Sequence, residues 1–114
     1  MSIPHLLCVG YDRTLMHSRA MVLRQAGFLV AEAFCLNCVL GLVKTDLIDG
    51  LLLCYTIPRG EQRWLIAEVR EERQLLPIVC VESQDHDTPH AGCISAPNDP
   101  DELLGAVRLA LRLP

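Results

Sequence analysis

The chain has 114 residues, 51% of them hydrophobic and 4% aromatic, a length and composition for one domain with a single aliphatic core. Net charge is −4 and the ten Lys and Arg residues are dispersed, so there is no basic stripe of the kind that binds nucleic acid directly. Residues 1–5 lack a basic n-region, residues 6–10 are too short for an h-region, and no apolar run reaches the roughly 18 residues of a membrane span; a cytoplasmic protein that does not engage membrane is expected.

Leu6-Leu7-Cys8-Val9-Gly10 is a short continuous apolar run, as buried parallel strands are. Residues 14–26 read as a helix. Met16, Ala20, Leu23 and Ala26 share its inner face, with Arg19 and Arg24 reaching water, and Gly27 is suited to the C-terminal cap. Residues 28–34 follow as a strand and 36–44 as a short apolar helix. Residues 47–57 hold the strongest strand signal, centred on Leu51-Leu52-Leu53-Cys54 and stopped by Pro58. Residues 60–73 are the most amphipathic helix. Its inner face is Trp64, Leu65 and Val69; Glu61, Glu68, Arg70, Glu71 and Glu72 face out. Pro77 opens a strand at 78–81, and residues 93–95 make a fifth. Asp99 then caps the last helix, with Pro100 at its first position and Glu102 at capping-box spacing; Leu103, Val107, Ala110 and Leu111 form its buried stripe.

Strands alternating with helices at this spacing imply a doubly wound α/β domain, a parallel sheet with right-handed crossovers and helices on both faces. The chain shows no repeat and no linker, so one domain over 1–114 is expected.

The order of these elements and several local phrases resemble the receiver domain of bacterial response regulators. Leu23-Arg24-Gln25-Ala26-Gly27-Phe28-Leu29-Val30 is similar to the family's junction of first helix and second strand. Asp49-Gly50-Leu51-Leu52-Leu53-Cys54-Tyr55-Thr56-Ile57-Pro58 is similar to its third strand and the loop ending in proline. Leu76-Pro77-Ile78-Val79-Cys80-Val81 is similar to its fourth strand, and Ala96-Pro97 to the Lys-Pro pair after the fifth. The resemblance spans nearly the whole chain. It implies a flavodoxin-like five-stranded parallel sheet in the order 2-1-3-4-5.

The resemblance also implies a phosphoryl site, and here the sequence departs from the family. An acceptor carboxylate is expected where Cys54 stands. The acidic pair that holds Mg²⁺, a cation that wants oxygen ligands, falls on Gly10 and Tyr11, with Asp12 one place beyond. Shifting the register to Tyr11 and Asp12 restores one acid only. The hydroxyl position is Glu82, followed by Ser83, and the lysine position is Ala96; Pro97 alone is kept. Glu82 and a phosphoryl group a few ångströms apart would repel by roughly 4 kcal/mol at an effective dielectric near 20, and Ala96 supplies no offsetting cation. Two readings stand: drift at a disused site, or a pocket reworked for constitutive signalling with Glu82 imitating an anionic state. Asp12 is also open to a plainer role as the cap of the first helix.

Only eleven residues, 83–93, join the fourth and fifth strands, and they are turn-rich. A helical crossover needs about 10–12 at minimum, so the fourth helix is expected to be shortened or absent. The sheet face beside strands four and five then lies partly open as a contact surface, together with the last helix, or else His86, Pro89 and His90 fold back over it.

Six cysteines would suit a disulfide framework in a secreted chain. Here Cys8, Cys54 and Cys80 sit in aliphatic runs as small hydrophobes, and reduced thiols are expected. Cys35-Leu36-Asn37-Cys38 is a C-x-x-C at a helix start, where a thiol's pKa falls. It is the basis of an alternative function, a small thiol-redox protein. A zinc site would need two further ligands, and His17, His86 and His90 are too loosely placed to supply them. As a nucleophile Cys54 would need a base, and no histidine is placed at a strand's C-terminal end. No phosphate-binding glycine motif is present.

The sequence thus leads to a receiver-like protein, not an enzyme, with no cofactor or metal. It would act in signal transduction through contact with another signalling protein: a histidine kinase, a regulator or an output protein, or a second copy of itself. Since nothing follows Pro114, output is expected to run through another chain.

Overall fold

The computed structural model describes residues 3–45, 47–82, 93–96 and 99–112, without the side chain of Ser95. In chain order the elements are β1 (His5–Val9), α1 (Arg13–Gln25), β2 (Leu29–Ala33), α2 (Leu36–Val43), β3 (Gly50–Leu53), α3 (Arg59–Glu72), β4 (Ile78–Val81), β5 (Ile94–Ala96) and α4 (Pro100–Ala110). All strand pairs are parallel, and the sheet runs β2-β1-β3-β4-β5.

Side-chain alternation sorts the core into two layers. Leu7, Val9, Leu51, Leu53, Ile78 and Cys80 point to one face, where Val39 and Val43 of α2 and Leu65 and Val69 of α3 cover them. Leu6, Cys8, Leu52, Cys54, Val79 and Val81 point to the other, beneath Met16 and Leu23 of α1 and Leu103 and Val107 of α4. β3 and β4 are buried along their whole length, as strands covered on both faces must be. Each fully buried Leu or Val contributes about 1.5–3 kcal/mol relative to exposure. α1 ends where Gly27 takes φ +102°, a conformation that side chains rarely adopt.

Four expectations are corrected. Trp64 is 43% exposed, because Gln62, Leu65, Ile66 and Val69 already fill the inner stripe of α3 and Trp64 falls beside it. Arg19 is 4% exposed, not solvated. α1 packs against both the sheet and α4, so its buried stripe widens to Met16, Arg19, Ala20 and Leu23. Asp99 takes the extended N-cap conformation of α4 but makes no side-chain cap bond, so no capping box forms there. The third strand covers only Gly50–Leu53 of the longer apolar signal; Asp49, just before it, pairs with His5, its N–H donating to His5 O at 2.7 Å and its Oδ2 accepting from the His5 N–H at 2.8 Å.

The expected shortening of a helix between β4 and β5 falls on residues 83–92, outside the described residues. The neighbouring sheet is not bare: β4 is buried throughout, and Cys93 and Ile94 are half-buried. An open groove of about 530 Å³ lies instead at the strands' N-terminal end, between residues 74–77 and 110–112, where Ile78 and Ile94 line it.

Candidate functional site

A parallel sheet of this kind gathers its chemistry outside the carboxyl ends of its strands. Cys54 lies there, one residue beyond β3. Its backbone N–H donates to Val9 O at 2.9 Å, its residue is fully buried, and its thiol faces Met16 Sδ at 3.5 Å. Burial pushes the Cys54 thiol above its ordinary range, opposed in part by the neighbouring Arg19 guanidinium. That cation also lies 5.2 Å from the centre of the Tyr55 ring.

Gly10 follows β1 and packs directly against this group. A Cβ on Gly10 would sit 2.9 Å from Met16 Sδ, 3.0 Å from Cys54 Cβ and 3.0 Å from Thr56 Oγ1. A side chain at the position assigned to a metal-binding acid would therefore have to displace the Met16 sulfur and press on Cys54 and Thr56. Tyr11 turns outward. Its N–H donates to Thr56 Oγ1 at 3.0 Å, and its hydroxyl donates to Glu61 Oε1 at 2.7 Å. Local desolvation first, and then the Glu61 carboxylate, push the phenol up to about 12. Asp12 is the N-cap of α1, its Oδ1 accepting from the Leu15 N–H at 3.0 Å.

Glu82 stands one residue beyond β4, its N–H donating to the carbonyl of Ala96, which is buried in β5. Pro97 lies outside the described residues. The Mg²⁺ that a receiver's chemistry implies does not fit this donor set. Gly10 offers no ligand, Asp12 is engaged with a helix start, and Cys54 presents a buried thiol where a hard cation needs oxygen. Among the described residues no group of three or more His, Cys, Asp and Glu could hold a metal ion.

Cys35 and Cys38 are both exposed. Cys35 is the N-cap of α2, and although its sulfur makes no cap hydrogen bond of ordinary geometry, the Cys38 thiol and the N–H groups of Cys38 and Asn37 lie toward it. Chiefly through the Cys38 thiol, they hold Cys35 below the ordinary thiol range; the same contact pushes Cys38 up. Cys35 also lies close enough to Tyr11 to add to the upward shift of its phenol.

The structure thus brings together Gly10 and Cys54, joins Tyr11 to Thr56 and Glu61, and joins Glu82 to Ala96 through the backbone. Three residues of this edge, Met16, Arg19 and Glu61, were placed by the sequence on helix faces but not beside Cys54 and Tyr11. The spacing 16, 19, 23 along α1 carried the signal for Arg19, masked by its charge.

Comparison with solved structures decides the fold. A protein of Chloroflexus aurantiacus assigned to the response regulators matches with TM-score 0.85 at 24% identity, over 97% of this chain and 99% of that one. A response regulator receiver protein of Sinorhizobium medicae matches at 0.79 and 20%, over 97% and 96%. A CheY-like receiver domain protein of Methanospirillum hungatei matches at 0.81 and 18%, over 97% and 95%. The fold is that of a response-regulator receiver domain. No protein-family model and no curated protein matches the sequence. On this receiver fold the strand ends hold two sulfurs, a glycine and a buried arginine. No helix among the described residues is long and apolar enough to cross a membrane.

Proposed function

We propose that residues 1–114 act as one receiver-like signalling domain that works by protein–protein contact and does not accept a phosphoryl group. The observation that carries this reading is the packing at Gly10. Met16, Cys54 and Thr56 crowd the space that a side chain at position 10 would take, which supports the reading that no acid works there. A buried thiol with a raised pKa is also a poor acceptor at neutral pH. The domain is not an enzyme on this reading. Its partner is another protein of a two-component type pathway in the cytoplasm: a histidine kinase, a regulator or an output protein, or a second copy of the chain. With a net charge of −4 it does not bind nucleic acid itself.

The test is a two-dimensional amide NMR spectrum with and without Mg²⁺ and beryllofluoride, a mimic of an acyl phosphate. Unmoved resonances of Gly10, Cys54, Glu82 and Ala96 are expected. Saturable shifts at these residues would mean that the pocket still takes the activating ligand, and the reading fails.

A further inference from the structure

The six cysteines are not equivalent. Cys8, Cys54 and Cys80 are buried and Cys93 is half-buried, whereas Cys35 and Cys38 are exposed. Cys35 sits at the N-cap of α2 in an extended conformation, φ −134° and ψ 126°. Cys38 is three residues on, at N3. N-cap and N3 are the two positions whose side chains a capping box brings into reciprocal contact, and here the Cys38 thiol faces the Cys35 sulfur. A disulfide needs the two Cβ atoms within about 4.5 Å, which the first turn of a helix can supply with little backbone movement.

We propose that Cys35 and Cys38 are a reversible dithiol–disulfide site, oxidised by exchange with a low-molecular-weight disulfide of the glutathione type. The site is separate from the filled pocket and does not depend on the signalling reading. In the first step the Cys35 thiolate attacks one sulfur of the oxidant. The oxidant's S–S bond breaks, a mixed disulfide forms on Cys35, and one oxidant thiolate leaves. In the second, Cys38 gives up its proton and its sulfur attacks Cys35, expelling the second oxidant thiolate. The protein loses two electrons and two protons, and the oxidant is reduced to two thiols.

The order of attack follows from position. Cys35 stands at the N-cap, ahead of the free N–H groups of the first turn, with the Cys38 thiol toward it, so its thiolate is the stabilised one, and Cys38, held above the ordinary thiol range, resolves. The consequence is local. Cys35 lies within electrostatic reach of Tyr11, whose hydroxyl is bonded to Glu61, so closing the disulfide removes the thiolate form of Cys35 from the surroundings of that phenol.

The experiment uses the full chain, reduced and then equilibrated across mixtures of oxidised and reduced glutathione, quenched with acid and alkylated. Trypsin releases residues 25–44, which hold Cys35 and Cys38 and no other cysteine. The expected product is this peptide lacking two hydrogens, reversed by excess reduced glutathione. Cys38→Ser should trap glutathione on Cys35, and under mild conditions iodoacetamide should modify Cys35 about tenfold faster than an unperturbed thiol. Both residues are exposed, so these variants keep the fold. A peptide that stays a dithiol or carries glutathione without closing overturns the proposal. So does a titration in urea that matches the folded one, because the closure would then belong to any C-x-x-C and not to this helix start.

Discussion

The Cys54 thiol lies 3.5 Å from the sulfur of Met16, so the first residue beyond β3 is packed directly against the first turn of α1. Cys54 is therefore part of a packed group and not an isolated residue. Gly10 packs against both: a Cβ there would lie 2.9 Å from Met16 Sδ and 3.0 Å from Cys54 Cβ. Close packing makes this group hard to change one residue at a time, since interiors tolerate little added volume.

Gly10→Asp tests that packing directly. The new side chain meets Met16 Sδ, Cys54 Cβ and Thr56 Oγ1 at 3.0 Å or less from its first carbon. Overpacking of this kind lowers stability by about 1–3 kcal/mol, to be read as a lower urea midpoint at unchanged slope. An unchanged midpoint that Mg²⁺ then raises would mean the acid is accommodated as a ligand.

Asp12→Ala separates the two roles left open for that carboxylate. As a helix cap bonded to the Leu15 N–H at 3.0 Å, it should cost about 1 kcal/mol when removed. The loss should be the same with and without Mg²⁺ in thermal unfolding. A loss that appears only in the presence of Mg²⁺ would restore Asp12 as a metal ligand.

Arg19 and Trp64 should exchange the ranks that their residue types suggest. Arg19 is wedged between the sheet and α4 with its guanidinium near Cys54 and over Tyr55, while Trp64 is 43% exposed. Arg19→Ala removes a buried stem as well as a charge and should cost about 1–3 kcal/mol. Trp64→Ala should cost less, measured by urea unfolding of both variants under one condition. The reverse ranking would place the arginine in water.

These two residues also mark where the sequence stops being legible. The apolar runs at β1, β3 and β4 and the cap at Gly27 depend on local pattern, and pattern was enough to place them. The identities of Cys54, Gly10 and Ala96 raised the expectation of a departure from receiver chemistry. What packs against Cys54 was not readable, because Met16 and Arg19 lie on a different element and meet Cys54 only through the packing of α1 on the sheet. The width of a helix's buried stripe depends on how many neighbours cover it. α1 has two such neighbours, so a charged residue was drawn inside. On α3 the positions either side of Trp64 satisfied the inner face without it. The hydrogen bond from Tyr11 to Glu61 spans fifty residues of sequence, with no local signal at either end.

That hydrogen bond makes a pH-dependent prediction. The Tyr11 phenol is raised from 10.0 to about 12 by desolvation and by Glu61. The folded state therefore favours the neutral phenol more than the unfolded state does. Its contribution to stability is fully present below about pH 10 and is lost as pH rises through about 12. Absorbance titration of tyrosinate, taken as the difference between wild type and Tyr11→Phe, isolates this phenol. Glu61→Gln should lower its midpoint toward the ordinary value without reaching it, because desolvation, the larger cause, remains. The Tyr11→Phe protein should also lack this contribution to the loss of stability between pH 10 and 12. A midpoint that Glu61→Gln leaves unchanged would break the pairing of these two side chains, and with it the link between β1 and α3 at the rim.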